Sequence, residues 1–129
     1  MKKIKRILII EDDPYVRELE KDLFEIAGYT VFDTEDAKTG ISVAAETEPD
    51  VIVVDYQLPG MNGIEAVRML KQNPKTKSIP CIIVTASATE EQLDVIKSSD
   101  AHGYITKPMN IRIFVEQVIA LAGKSKSAG

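Results

Sequence analysis

Short apolar runs alternate along this chain with longer segments in which apolar residues recur every three or four positions. The runs are RILII (6 to 10), YTVFD (29 to 33), VIVVD (51 to 55), CIIVT (81 to 85) and GYIT (103 to 106). Runs this short, rich in Val and Ile and bounded by turn residues, predict strands buried on both faces. Between the first two runs, Val16, Leu19, Leu23, Ile26 and Ala27 keep helical spacing. Pro14 sits where a first helical turn tolerates proline, and Gly28 can close the end. Similar spacing predicts helices over 36 to 47, 63 to 72, 89 to 99 and 110 to 122, with Pro49, Pro74 and Pro80 in the connections. Strand and helix in strict alternation predict an α/β domain of five βα units, its parallel sheet covered by helices on both faces.

A length of 129 residues fits one such domain. The hydrophobic fraction of 44% with 28% charged residues is that of an ordinary globular protein. A formal charge of -4 argues against an electrostatic grip on nucleic acid or anionic lipid and turns attention to proteins and small ions. The lone Cys81 lies in an apolar run, excludes an intrachain disulfide and fits a reducing cytosol. The basic opening MKKIKR precedes an apolar stretch too short for a signal peptide, and no stretch approaches the roughly 18 apolar residues of a membrane span. The expectation is a cytoplasmic protein without membrane insertion or direct nucleic-acid contact. His102 has no Cys or His at metal spacing and reads as a surface or strand-entry residue, while Lys71, Lys75 and Lys77 read as solvated loop lysines.

In an open parallel sheet, ligands bind beyond the carboxyl ends of the strands, so the residues that finish the runs belong together. The first run finishes in Glu11, Asp12 and Asp13, the third in Asp55, the fourth in Thr85 and the fifth in Lys107 followed by Pro108. Three consecutive acids admit two readings: they open a helix, where the macrodipole favours negative charge, or they surround a cation. A hard ion such as Mg²⁺ takes one or two carboxylates and leaves positions for phosphate oxygens. A lysine opposite can neutralise an acid at rest and a phosphoryl oxygen later, and a threonine hydroxyl can donate to that same oxygen. Taken singly, Thr85 as a strand end, Lys107 as a loop lysine and Tyr104 as an edge-strand aromatic are unremarkable. Gathered at one rim they point to metal and phosphate chemistry.

On IIEDD, VIVVDYQLPGMNG with Asp55, IIVTA with Thr85 and GYITKP with Lys107 and Pro108, in that order and spacing, the chain from about Lys5 to Ala122 resembles the receiver domain of two-component response regulators. The resemblance implies a flavodoxin-like three-layer sandwich with sheet order 2-1-3-4-5. The receiver domain is expected over residues 1 to 123, and the small, polar end of the chain over 124 to 129, which lacks any apolar face, reads as a flexible tail. Asp55 would be the phospho-acceptor, charged by a sensor histidine kinase or a histidine phosphotransfer protein. Thr85 and Lys107 would hold phosphoryl oxygens, and the Lys107–Pro108 bond would be cis. Glu11, Asp12, Asp55 and the backbone carbonyl of Gln57 would hold Mg²⁺, with Mn²⁺ as its substitute. Thr85 and Tyr104 would form the switch, and Gln57 and Ser87 would tune the lifetime of the acyl phosphate. The family places an arginine five residues after its principal metal-binding acid. Arg17 therefore singles out Asp12, with Glu11 acting through water, and leaves Asp13 before Pro14 as a helix cap.

A receiver without an output domain must act by docking. It would pass its phosphoryl group on or bind a downstream protein target through the fourth helix, fifth strand and fifth helix, as a monomer or a phosphorylation-dependent dimer. The kinase would approach the first helix and the loop after Pro108, with Tyr15 and Met109 as exposed contacts. The competing class is a Mg²⁺-dependent phosphohydrolase with an aspartyl nucleophile. That chemistry needs an acid two residues after the nucleophile to protonate the leaving group, and Gln57 stands there. A nucleotide or flavin carrier is disfavoured because no glycine-rich phosphate loop follows the first strand. The expectation is a signalling module and not an enzyme.

Overall fold

The computed structural model describes residues 3–86 and 89–124. Along them run β1 (Arg6–Ile10), α1 (Pro14–Ile26), β2 (Thr30–Thr34), α2 (Ala37–Thr47), β3 (Val51–Asp55), α3 (Gly63–Gln72), β4 (Cys81–Thr85), α4 (Glu90–Lys97), β5 (Gly103–Thr106) and α5 (Phe114–Gly123). The strands form one sheet in the order β2-β1-β3-β4-β5, every neighbouring pair parallel. This is the flavodoxin-like order expected from the sequence.

The apolar runs are continuous because both pleat faces are covered. Leu8, Ile10, Ile52, Val54 and Ile83 point to one side, where Ala44 of α2, Ala66, Val67 and Leu70 of α3 and Ile96 of α4 cover them. Ile7, Ile9, Val51, Val53, Ile82 and Val84 point to the other, under Phe24 of α1 and Phe114 and Val118 of α5. Phe24 and Phe114 meet edge to face with ring centroids 5.6 Å apart, locking the two helices together over the sheet. Cys81 is fully buried in the first layer as a small apolar residue.

Element ends depart from the sequence expectations where polar groups override periodicity. β2 begins at Thr30 because the Tyr29 amide donates to Phe24 O at 3.0 Å, closing α1 over Gly28, which takes the left-handed φ of 99°. α4 stops at Lys97, since the Ser98 and Ser99 hydroxyls turn back onto the carbonyls of Asp94 and Ile96. α5 starts at Phe114 and not at 110: the Asn110 side chain accepts from the Arg112 amide and its carbonyl from Ile113, making a turn ahead of the helix. α1 is rotated from its expected stripe. Glu20 and Phe24 are its buried residues, whereas Ile26, expected inside, is 84% exposed. The expected tail begins at the last described residue, Lys124, and 125–129 lie outside the description.

One glycine positions the site directly. A Cβ on Gly63, the first residue of α3, would stand 2.8 Å from the backbone oxygen of Asp55. Gly63→Ala is expected to cost roughly 1 to 3 kcal/mol, the usual range for an overpacked contact, measured as a lower urea midpoint.

Candidate functional site

The rim is built where β1, β3, β4 and β5 end. β3 is buried over its full length, which fixes the backbone of its last residue, Asp55, itself only 7% exposed. The chain then continues the pairing, with the Tyr56 amide on Val84 O at 2.8 Å, before the loop is closed by Gly63 N–H on Tyr56 O at 2.7 Å. Gln57 lies in that loop, and its backbone amide donates to the Asp55 carboxylate. Thr85 ends β4, buried, paired in register with Thr106.

Lys107 follows β5. Its amide donates to Thr85 O at 2.7 Å, and its bond to Pro108 is cis. The ammonium then reaches Asp55 Oδ1 at 2.9 Å and Glu11 Oε1 at 3.4 Å. Glu11, 1% exposed, also accepts from the Asp13 amide through Oε2 at 3.1 Å. Asp12 is exposed at the mouth of the cluster. Oxygens of Glu11, Asp12 and Asp55 lie within 4.8 Å of one another, a spacing that one cation can bridge. Asp13 is separated from them: it caps α1, accepting from the amides of Tyr15 and Val16.

Burial, then the charge of Asp55, push the Glu11 carboxyl up to about 7, against the pull of the Asp13 amide and Lys107. Burial also raises Asp55, with Lys107 opposing. Burial alone would lower Lys107, but Asp55 and Glu11 outweigh it and hold the ammonium above its ordinary range. Three carboxylates face one ammonium, so the fully ionised cluster carries two uncompensated negative charges, which a divalent ion would balance.

The remaining residues fall around this centre. Tyr104 pairs with Ile83 on the edge strand and lies half-buried against the α2–α4 layer. It also lines a groove of about 520 Å³ with Thr106, Pro108, Asn110 and Gln117. A smaller cavity, about 190 Å³, opens beside Thr85 and is lined by Tyr56, Gln57, Ala86 and Gln92. Tyr15 is 80% exposed, but Met109, expected as a second exposed contact, packs half-buried against the α1 and α5 layer. Its apolar side chain follows the chain inward after Pro108. His102 enters β5 and its ring bonds the Lys124 carbonyl, tying down the end of α5. Lys71, expected as solvated, is anchored instead, its ammonium on Ile79 O at 2.6 Å and Lys77 O at 3.1 Å. Ser87 lies outside the described residues.

Two contributors were not foreseen. Arg17 entered the sequence reading only as a spacing marker. Its guanidinium donates to Glu11 O at 2.8 Å and pairs with Asp33 of β2 at 3.5 Å, bracing the backbone that carries the acid pair. Glu20 is 1% exposed on the inner face of α1. Phe24 was the signal that could have found it: a helix turned to bury that ring also buries the residue four positions earlier.

The fold and rim together define an α/β domain of flavodoxin-like topology, with an acidic cluster closed by a lysine at the carboxyl edge of its sheet. The chain belongs to the response regulator receiver domain family, whose model matches residues 7–119. It is 33% identical over 119 residues to the polar-differentiation response regulator DivK of Brucella anthropi, covering 92% of this chain and 97% of that one; the Brucella ovis protein of the same name matches equally. Among solved structures, the chemotaxis response regulator CheY4 of Vibrio cholerae superposes with a TM-score of 0.85 at 24% identity, over 92% of this chain and 99% of that one. A response regulator from Chloroflexus aurantiacus gives 0.86 at 25% identity, over 95% and 100%. Receivers of this family are signalling proteins, and a phosphoryl-acceptor role is expected of them. No helix among the described residues is long and apolar enough to cross a membrane.

Proposed function

We propose that this receiver accepts a phosphoryl group on Asp55 from the phosphohistidine of a sensor kinase or phosphotransfer protein, in the cytoplasm, and thereby switches a protein-docking surface. The observation that carries the reading is the rim itself: Glu11, Asp12 and Asp55 oxygens within 4.8 Å of one another, with the Lys107 ammonium 2.9 Å from Asp55. In the transfer, a bond from the Asp55 carboxylate to phosphorus forms as the phosphorus–nitrogen bond breaks, and the imidazole leaves with the electron pair. Lys107 exchanges its resting partner, Asp55, for a phosphoryl oxygen, and the Thr85 hydroxyl donates to a second oxygen. Tyr104 then turns toward the space that Thr85 leaves. Glu11, Asp12, Asp55 and the Gln57 carbonyl fit Mg²⁺, with Mn²⁺ as a substitute. The bound ion would neutralise charge on the phosphoryl oxygens. The kinase would dock near Tyr15 at the start of α1, and the downstream target on α4, β5 and α5.

The test is uptake from a small phosphodonor such as acetyl phosphate: one phosphoryl group per chain by intact mass, dependent on Mg²⁺ and lost with a chelator. Steady turnover of unrelated phosphoesters would instead support a hydrolase. The division of the acid triplet has its own check. Asp12→Asn is expected to weaken Mg²⁺ binding on the order of tenfold to a hundredfold, while Asp13→Asn, which still caps a helix, leaves it nearly unchanged by calorimetric titration. Equal losses in the two variants would overturn the division.

A further inference from the structure

The ends of β1, β3, β4 and β5 lead into the side chains of the rim, while β2 holds the backbone from which the acid pair projects. The Glu11 amide donates to Thr34 O at 3.0 Å, and the Thr34 hydroxyl donates to Ile9 O at 3.0 Å. The Glu11 carbonyl accepts from Arg17 Nη1 at 2.8 Å, and the same nitrogen reaches Asp12 O at 3.4 Å. Both carbonyls of the pair thus rest on one guanidinium. That guanidinium is held in turn by β2, with its Nε 3.5 Å from Asp33 Oδ2. Asp33 pairs in register with Ile9, so its side chain stands on the sheet face that α1 covers. Arg17 and Lys21, one turn apart on α1, straddle it, with Lys21 Nζ 4.0 Å from Oδ1. The Arg17 side chain is only 18% exposed. A planar fork with Nε on a carboxylate and Nη1 on two carbonyls fixes a direction that a mobile point charge could not.

We propose that Asp33 is a positioning residue of the cation site: it orients Arg17, which holds the Glu11 and Asp12 backbone so that the two carboxylates stay directed at the ion. The proposal rests on the reading of Glu11, Asp12 and Asp55 as the ion's ligands. Glu11 is steadied by side-chain contacts of its own, to the Asp13 amide and Lys107. Asp12 depends on the hold more. It is exposed at the mouth, where its direction follows from the backbone that carries it. A ligand left to wander must be ordered when the ion binds, and that entropy is subtracted from affinity. Charge alone would act differently. Arg17 is a cation beside a cation site, so by charge its removal favours the ion, whereas loss of its hold disfavours the ion. The sign of the Arg17 effect separates the two causes.

The experiment is calorimetric titration with Mg²⁺ alone on the parent, Arg17→Met, Asp33→Ala, the double variant and Lys21→Met, each checked for folding by its urea midpoint. Loss of a group that orients metal ligands from behind is costly, so Arg17→Met and Asp33→Ala are each expected to bind Mg²⁺ about tenfold more weakly than the parent. The double variant is expected to match Arg17→Met within about twofold, because Asp33 acts through that side chain. Lys21→Met removes the other cation on Asp33 and is expected to stay within about twofold of the parent. Arg17→Lys, which keeps the charge and gives up the fork, covers the case in which Arg17→Met fails to fold: charge predicts no change, and position predicts a loss of about threefold or more. Three results would overturn the positioning role and leave the ion's ligands standing: Arg17 variants that bind as tightly as the parent, an equal loss from Asp33→Ala with and without Arg17, or a loss in Lys21→Met as large as in Asp33→Ala. A folded parent that binds no Mg²⁺ would overturn both readings.

Discussion

Asp55→Asn is expected to take up no phosphoryl group from acetyl phosphate under conditions in which the parent takes up one. The substitution preserves shape at a position where shape is tightly constrained, because β3 is buried throughout and Gly63 packs against the Asp55 carbonyl. What it removes is the nucleophilic oxygen, one of three cation-facing carboxylates and the 2.9 Å partner of Lys107. An amide nitrogen or oxygen held neutral is a poor nucleophile at phosphorus, and no other carboxylate shares its place: Glu11 is engaged by the Asp13 amide and Lys107, and Asp12 lies out at the mouth. The fold should survive, since burial already disfavours the charged form of Asp55 and the amide carries no charge to desolvate. Loss of uptake with an unchanged or higher urea midpoint is thus the expected pair of results. Continued labelling of Asp55→Asn would move the acceptor to another residue.

The strands and the rim were legible because each was encoded locally. A strand buried on both faces is a continuous apolar run, and in a parallel sheet its last residue marks the ligand side, so Glu11, Asp55, Thr85 and Lys107 could be grouped before any contact was known. The pairing of Lys107 with both Glu11 and Asp55 depends on distances across three strands, which no run reports. α1 failed for a different reason. Its Leu19, Leu23 and Ile26 make a respectable apolar stripe, yet Phe24 fills the gap over Phe114, and the helix turns to bury that ring. The turn carries Glu20 inward and leaves Ile26 exposed. Aromatic area outweighed aliphatic periodicity, and the buried acid came with it. The start of α5 was misplaced because Asn110 and Ile113 form a turn that uses the same residues the helix would have used.

That buried acid gives the second large effect, on stability measured without divalent ions. The Glu20 carboxyl holds its proton up to about pH 8 in the folded chain and only to its ordinary 4.5 when unfolded. Below about pH 4.5 both states carry the proton and the group has no influence on the slope. Between there and about pH 8 the folded state binds the extra proton, so stability falls as pH rises, and above that window the slope from this group vanishes. At about 1.4 kcal/mol per unit the loss is on the order of 3 to 5 kcal/mol, a large share of a typical domain's total. Glu11, pushed up to about 7, slopes the same way over a shorter window. Urea denaturation in chelator is expected to show the parent losing stability steadily from about pH 5 to pH 8. Glu20→Leu should lose less over the same range, keep only the part belonging to Glu11 and Asp55, and be the more stable protein at the alkaline end. A parent equally stable at both ends, or a Glu20→Leu slope as steep as the parent's, would mean that Glu20 is ionised in the folded chain. Burial explains why that outcome is not expected: leucine carries no charge to desolvate, whereas an ionised Glu20 would be a buried carboxylate on which the charges of Glu11 and Asp55 act unfavourably.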